Sequence, residues 1–370
     1  MTLIDRYILR EWLGMLMLVL AATMGLLLMQ AMYDDFGDLL DVGAGAVDIV
    51  FYFAVKLPSY LSVVLPIAIL LSLLYTLGAL HRNLEITALR AAGLGLGRIT
   101  RGIWGIGVVL CGLTWVLNST VIPWSVEESR AVWDGLKFRD EAKAETADRV
   151  GVAPSVAFDN RAESRIWFMN RYSRYTQRGY GVTVTELDEQ RREKTRIHAR
   201  EAYFDAEQAA WVFREGRETW LDLETGVVMR TKAFTERVVP YYQENPALML
   251  VFDIDPEDLS FFELRRVIAY YSTEDSPKVV AYLVRYYGML ADTLGPLIII
   301  AIAIPFAVAG VRVSPVVGVS KSIGLFALYF VLLKISTALG ARGVWEPWWA
   351  AVAPNVMMLA TGLGFLAKAR

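Results

Sequence analysis

LPSYLSVVLPIAILLSLLYTLGALHRNLEITALRAAGLGLGRI, residues 57–99, is the stretch on which the fold turns. A long apolar run carries Pro58 and Pro66 and ends at His81-Arg82. A short helical segment follows, sets Glu85 among Ile86, Leu89 and Arg90, and closes on Gly93, Gly95 and Gly97. A membrane helix therefore passes into a small polar helix with one acidic residue and a glycine stop. Such a helix can serve as a handle for a partner outside the bilayer. A carboxylate at Glu85 also suits the positive end of a helix, and that electrostatic fit is the simpler reading. The functional reading makes Glu85 a charged contact to a partner protein, with Ile86 and Leu89 adding apolar contact.

The rest of the chain agrees with a membrane setting. It has 370 residues, of which 55% are hydrophobic, and a mean hydropathy of +0.39. A net charge of -2 provides no basic field for nucleic acid. Cys111 is the single cysteine, so no disulfide or thiolate cluster can form within one chain. The two histidines, His81 and His198, are too few for a histidine-based metal site. The glycines at 93, 95 and 97 lack the Lys-Ser/Thr of a phosphate loop. No HExxH or GxSxG motif occurs. No cofactor, metal or catalytic residue is expected.

Six apolar spans are predicted, at about 12–32, 49–80, 99–121, 285–309, 319–339 and 348–367. Each approaches or exceeds the ~20 residues that cross a hydrocarbon core. Residues 2–11 read as an interfacial helix, with Trp12 as an interface anchor. The first run is too long for a signal peptide and is read as an uncleaved span. Pro58 and Pro66 should kink or tilt the over-long second span. Arg6, Arg10, Arg82, Arg90, Arg98, Arg101, Arg312, Lys321, Lys368 and Arg370 fall on one side of this arrangement. The loop at 33–48, on the other side, has five aspartates and no Lys or Arg. The positive-inside rule then puts both termini in the cytoplasm.

The insertion at about 122–284 lies on the opposite side and changes character. Residues 182–188, 195–207, 210–222 and 226–238 read as strands joined by turns such as Glu207-Gln208 and Glu224-Thr225-Gly226. Val182 and Val184, Ile197 and Ala199, Trp211 and Phe213 alternate onto one face, which implies an antiparallel meander with one apolar side. RIWFMN, residues 165–170, is apolar on both faces, as in a strand covered twice. Ser260 and Glu263 have capping-box spacing before a helix at 261–272, and residues 273–277 break it. The expected organisation is a membrane half at 1–121 with a coupling helix at about 82–97, a β domain at 122–255, connecting helices at 256–284 and a second membrane half at 285–370. Lys56, Arg285, Lys334 and Arg342 fall toward the outer leaflet. Singly they can snorkel; together they can bind the phosphates of an anionic lipid, with Lys334 the deepest.

IDRYILRE at 4–11, the paired LP at 57–58 and 65–66, LEITALRAAG at 84–93, GPLIIIAIAIPFAVAGVR at 295–312 and Pro354-Asn355 occur in one order and spacing. In these the chain resembles the LptF/LptG (YjgP/YjgQ) permeases of the lipopolysaccharide exporter, over nearly its whole length. The resemblance implies an α-helical membrane protein with six transmembrane helices plus an extracytoplasmic, periplasmic antiparallel β jelly-roll-like domain, in the bacterial inner membrane. It implies a non-enzymatic permease, one of an unlike LptF and LptG pair, driven by an LptB-type ATPase dimer. An LptC-type single-span protein and an LptA-type periplasmic bridge are the further partners implied. Lipopolysaccharide would enter between spans one and five of the two subunits and pass to the β domain. Glu85 would contact the ATPase. Trp211, Phe213, Val182, Val184 and Ile197 would face the acyl chains. One departure stands out: some members carry lysines at the outer end of span one, where this chain has QAMYDDFGDLLD, residues 30–41. Lys56, Lys334 and Arg342 would then take over the phosphates, or a divalent ion would bridge Asp34 or Asp35 to one. The competing readings are a membrane scaffold that displays a β domain, and a membrane enzyme on lipid-linked substrates. The enzyme reading calls for clustered polar residues, whereas Lys56, Asn118, Asp292 and Lys334 are scattered over different helices.

Overall fold

The computed structural model describes residues 3–368 apart from 145–148, 162, 206–207, 243, 245, 247–248, 250–255, 257–258, 274–278 and 309–314. Glu207, the expected helix break at 274–277, Arg312, Arg370 and the domain end at 255 lie outside the described residues.

Five helical stretches are each long and apolar enough to cross a membrane, and a bent pair makes a sixth. Helix α1, Leu3–Asp41, merges the interfacial segment, the first span and the expected acidic loop into one helix of 39 residues. At 1.5 Å per residue it is about 58 Å long, roughly twice the hydrocarbon thickness. The acidic stretch stays helical because Leu39 is fully buried against α2, Ala46–Lys56, and Asp35 has a resident counter-ion in Lys56. Trp12 is not at an interface. It is buried, and its Nε1 donates to Ser72 Oγ at 3.0 Å, which pins α1 to α3, Leu61–Arg82. The second span turns at Leu57–Tyr60, a 3-10 segment that Pro58 starts. Short helices α4, Glu85–Ala91, and α5, Leu96–Ile99, follow.

Helix α6, Arg101–Val116, continues through a π-turn at Leu117–Val121 into α7, Ile122–Ala144. Residues 122–144, grouped with the β domain on their dense charge, are thus a helical stalk. The sheet comes after them. Helix α8, Phe261–Thr273, opens with the reciprocal box of Ser260 and Glu263: the Ser260 N–H donates to Glu263 Oε2 at 2.8 Å and the Glu263 N–H to Ser260 Oγ at 3.2 Å. The fourth span is broken. Helix α9, Val279–Asp292, and α10, Gly295–Ala307, meet at 51°. Pro296 near the start of α10 has no N–H to continue the first helix and suits the start of the second. Helices α11, Pro315–Ala341, and α12, Pro347–Lys368, complete the bundle. Its core joins Trp12, Ile69, Leu73, Leu77, Ile103 and Ile300.

Among the described residues the β domain is one antiparallel sheet of six strands in sequence order: β1, Val152–Asn160; β2, Arg165–Ser173; β3, Arg178–Leu187; β4, Glu193–Asp205; β5, Ala210–Leu221; β6, Val228–Val239. Trp167 and Met169 of β2 point inward, but Phe168 is 40% exposed, so the second face of RIWFMN is not covered. The sheet is rolled. Three strand spacings of ~4.8 Å would put β2 and β5 about 14 Å apart in a flat sheet. Yet the Trp167 and Trp211 rings are 4.6 Å apart.

The roll has a visible cause. Ladder pairing skips one row across every strand: Ser155, Asn170, Gly181, Arg200, Glu215 and Thr235. Ser155, Gly181 and Glu215, on alternate strands, have φ of 55°, 62° and 50°. The inward side shifts phase at this row, from Ala199 to Ala202 on β4 and from Met169 to Tyr172 on β2. One extra residue on every strand keeps the register and creases the whole sheet.

Candidate functional site

Three places hold the residues singled out from sequence, apart from Lys56 and Arg342. The first is α4. Leu84 turns the chain with φ of 63°, and Gly93 ends the segment with φ of 85°. Ile86 is 1% exposed and Leu89 half-buried, both against the chain's own membrane core. Ile86 therefore anchors the helix and is not presented outward; a helix of one or two turns has no stability of its own without such an anchor. Leu84, Thr87, Ala88, Arg90 and Ala91 are exposed. Glu85 is half-exposed and hydrogen-bonded by Tyr7 of α1. The two border a groove of about 360 Å³ with Ile4, Ile8, Leu80 and Ala88. Tyr7 was not singled out from sequence, although Ile4 and Ile8 on the same helical stripe set its position.

The second place is a cavity of about 390 Å³ inside the bundle. Leu65 and Pro66 of α3, Asn118 of the π-turn, Pro296 at the bend, and Tyr329 and Phe330 of α11 form walls. Arg285, Asp292 and Lys334 also line it, and the two cations are the charged neighbours of the Asp292 carboxylate. Helices scattered in sequence thus meet at one polar centre. The other two expected cations are elsewhere. Arg342 is exposed and is not among the lining residues. Lys56 forms an ion pair with Asp35 and donates to the Tyr52 hydroxyl at 3.0 Å, while that hydroxyl donates to Asp35 Oδ2 at 3.1 Å. This triangle staples the C-terminal part of α1 to α2. Both contacts to the carboxylate fall on Asp35 Oδ2, one of the oxygens that a bridging ion would use.

The third place is the interior of the rolled sheet. Trp211, Phe213, Val182 and Val184 are fully buried and Ile197 is 1% exposed, all on one face. Trp167 and Tyr242 join them, with Trp167 stacked on Phe213 at 6.0 Å and edge-on to Tyr242 at 5.5 Å. Such a face is wholly apolar at the level of side-chain bodies and can take an apolar ligand only by rearrangement. Among the described residues no group of three or more His, Cys, Asp or Glu side chains is placed to hold a metal ion.

A family model described as lipopolysaccharide export system permease LptF/LptG matches residues 6–368. The chain belongs to the LptF/LptG permease family. Comparison with curated proteins gives no match.

As an LptF/LptG permease, the chain is a multi-pass inner-membrane transport subunit rather than an enzyme, with membrane-spanning helices and a separate β domain. Within this permease, α1 and α11 are the most open spans: 22% and 17% of their most apolar windows are buried, against 61% for the second span. These two helices leave apolar faces open to lipid or another subunit. The residues that sequence reasoning missed are Tyr7, exposed at the groove beside Glu85, and the buried polar partners Arg165, Tyr242 and Glu244 in the permease's β domain. Arg165 stood in a quoted strand, but nothing local marks a charge that pairs with a residue 79 positions away.

Proposed function

We propose that this permease pairs with its unlike LptF or LptG counterpart and an LptB-type ATPase dimer to extract lipopolysaccharide from the inner membrane. Both termini and α4 are on the cytoplasmic side, and the β domain is periplasmic. An LptC-type single-span protein and an LptA-type bridge complete the route. Glu85, with Arg90 beside it, engages the ATPase, while Ile86 and Leu89 hold the helix to the membrane core. Arg285 and Lys334, which line the cavity at the broken span together, receive a lipid phosphate there. Lys56 acts through the Asp35 staple, and Arg342 meets phosphates only at the surface.

The rolled sheet carries this reading. A concave face of Trp211, Phe213, Val182, Val184 and Ile197 replaces the bilayer around acyl chains, at about 0.8 kcal/mol for each CH₂ it covers. A membrane scaffold would need no such interior. The test is a photo-reactive amino acid at Trp211 in living cells, probed for a lipopolysaccharide adduct. An adduct that requires an active ATPase supports the conduit. A folded, assembled chain with no adduct moves the reading to the scaffold.

A further inference from the structure

The aromatic interior already has an occupant. Tyr242, three residues beyond β6, is fully buried and packs edge-on against both Trp167 and Phe213, with ring centroids 5.5 and 6.1 Å away. It comes from outside the six-stranded ladder, so no strand register holds it there. Its polar ties are few and specific. The Tyr242 hydroxyl donates to Glu186 Oε1 at 2.8 Å, next to the β3–β4 irregularity. The Arg165 guanidinium lies over its ring at 4.8 Å. Two residues on, Glu244 Oε1 accepts from Arg165 Nε at 2.7 Å and from Asn160 Nδ2 at 2.9 Å, and the Glu244 carbonyl accepts from Trp211 Nε1 at 2.8 Å.

This ion pair is an unusual way to close an apolar core. The Arg165 and Glu244 side chains are 8% and 6% exposed, and Glu244 Oε2 has no hydrogen-bond partner among the described residues. A buried carboxylate with one oxygen unsatisfied is costly to keep. Arg165 meanwhile has a second acid at hand: its Nη2 lies 3.3 Å from Glu163, which is 61% exposed. Release of Glu244 would leave Arg165 paired and return the carboxylate to water.

We propose that Tyr242 is a displaceable plug, latched by the Arg165–Glu244 pair, and that an acyl chain takes its place against Trp167 and Phe213. The proposal rests on the conduit reading above and adds the residue that the lipid must expel. The apolar surfaces that Tyr242 uncovers on leaving are those the chain covers, so the interior is never left wet.

The test uses the full permease assembled with its partners, with a photo-reactive amino acid at Phe213. Adduct yield per assembled complex is compared among the parental chain, Glu244→Gln, Tyr242→Ala and the milder Tyr242→Phe, with protease resistance of the β domain as the folding check. A plug that vacates its site about ten times more often gives a roughly tenfold higher adduct yield. That rise is expected in Glu244→Gln and Tyr242→Ala, with a smaller one in Tyr242→Phe, which keeps the ring but loses the tie to Glu186. Should Glu244→Gln or Tyr242→Ala fail the folding check, Tyr242→Phe decides alone. Equal adduct in all folded variants overturns the plug and leaves the conduit standing. No adduct in any of them overturns the conduit and the plug with it.

Discussion

Glu85 and Ile86 are adjacent and do opposite things. Ile86 is sealed into the membrane core, whereas Glu85 stays half-exposed at the groove beside Tyr7. Truncating a buried isoleucine costs about 2–5 kcal/mol. Ile86→Ala should therefore loosen α4 and speed tryptic cleavage after Arg82 and Arg90, while Glu85→Ala leaves the cleavage rate unchanged. Lys56 and Lys334 separate in the same way. Lys56→Gln breaks the staple to Asp35 and lowers the thermal midpoint of the permease, with little effect on the binding of a phosphorylated lipid. Lys334→Gln does the reverse, measured by lipid retained on the purified protein. In the β5–β6 turn, Asp222 Oδ1 accepts the Thr225 N–H at 2.8 Å, the Thr225 hydroxyl at 2.9 Å and the Glu224 N–H at 3.0 Å. These bonds, that of the Thr225 N–H foremost, hold its pKa below the aspartate value of 3.8. The turn is therefore fully stabilised above that value and loses the contribution as pH falls through the lowered pKa. Asp222→Asn cannot titrate, so its thermal midpoint should fall less steeply on acidification.

At the scale of elements, what was legible in the sequence was periodicity, and what was not was continuity. Strand faces followed from alternation at Val182, Val184, Ile197, Ala199, Trp211 and Phe213, because a pleated strand with one buried side has no other solution. The crease escaped notice because its sign on one strand is only a three-residue gap, from Ala199 to Ala202, and only six strands together give it meaning. Gly181 is its tightest point. A Cβ there would come within 2.4 Å of Asn170 Nδ2, at a φ of 62° that disfavours any side chain. Gly181→Ala should cost the β domain about 1–3 kcal/mol, read as a lower midpoint of sheet unfolding. The stalk α7 was hidden by its charges, since a helix beyond the bilayer need not be apolar. The acidic end of α1 was hidden likewise, as its counter-ion, Lys56, lies on another helix. Packing at the second membrane half is equally sharp. A Cβ at Gly362 would meet the Ala301 carbonyl carbon at 2.9 Å, so Gly362→Leu should part α12 from α10 and reduce the yield of folded permease.

On the scale of the whole molecule, the proposed ATPase contact at α4 and the proposed lipid conduit in the β domain lie far apart along the chain. The stretch Arg101–Lys143 has 43 residues and is helical except for its π-turn, and it runs from just after α4 to just before the sheet. At 1.5 Å per residue it spans about 65 Å. Composition alone revealed a membrane protein with an inserted β domain. The meeting of Arg285, Asp292 and Lys334 at one cavity did not show in composition, because the bend between α9 and α10 brings it about. In the proposed function, work done at Glu85 appears as lipid in the β domain. The most direct measurement places the photo-reactive amino acid at Trp211 and compares the parental chain with Glu85→Ala, in complexes that are assembled and folded alike. The account predicts an ATP-dependent lipopolysaccharide adduct in the first and its loss in the second. An adduct that accumulates equally in both would contradict it.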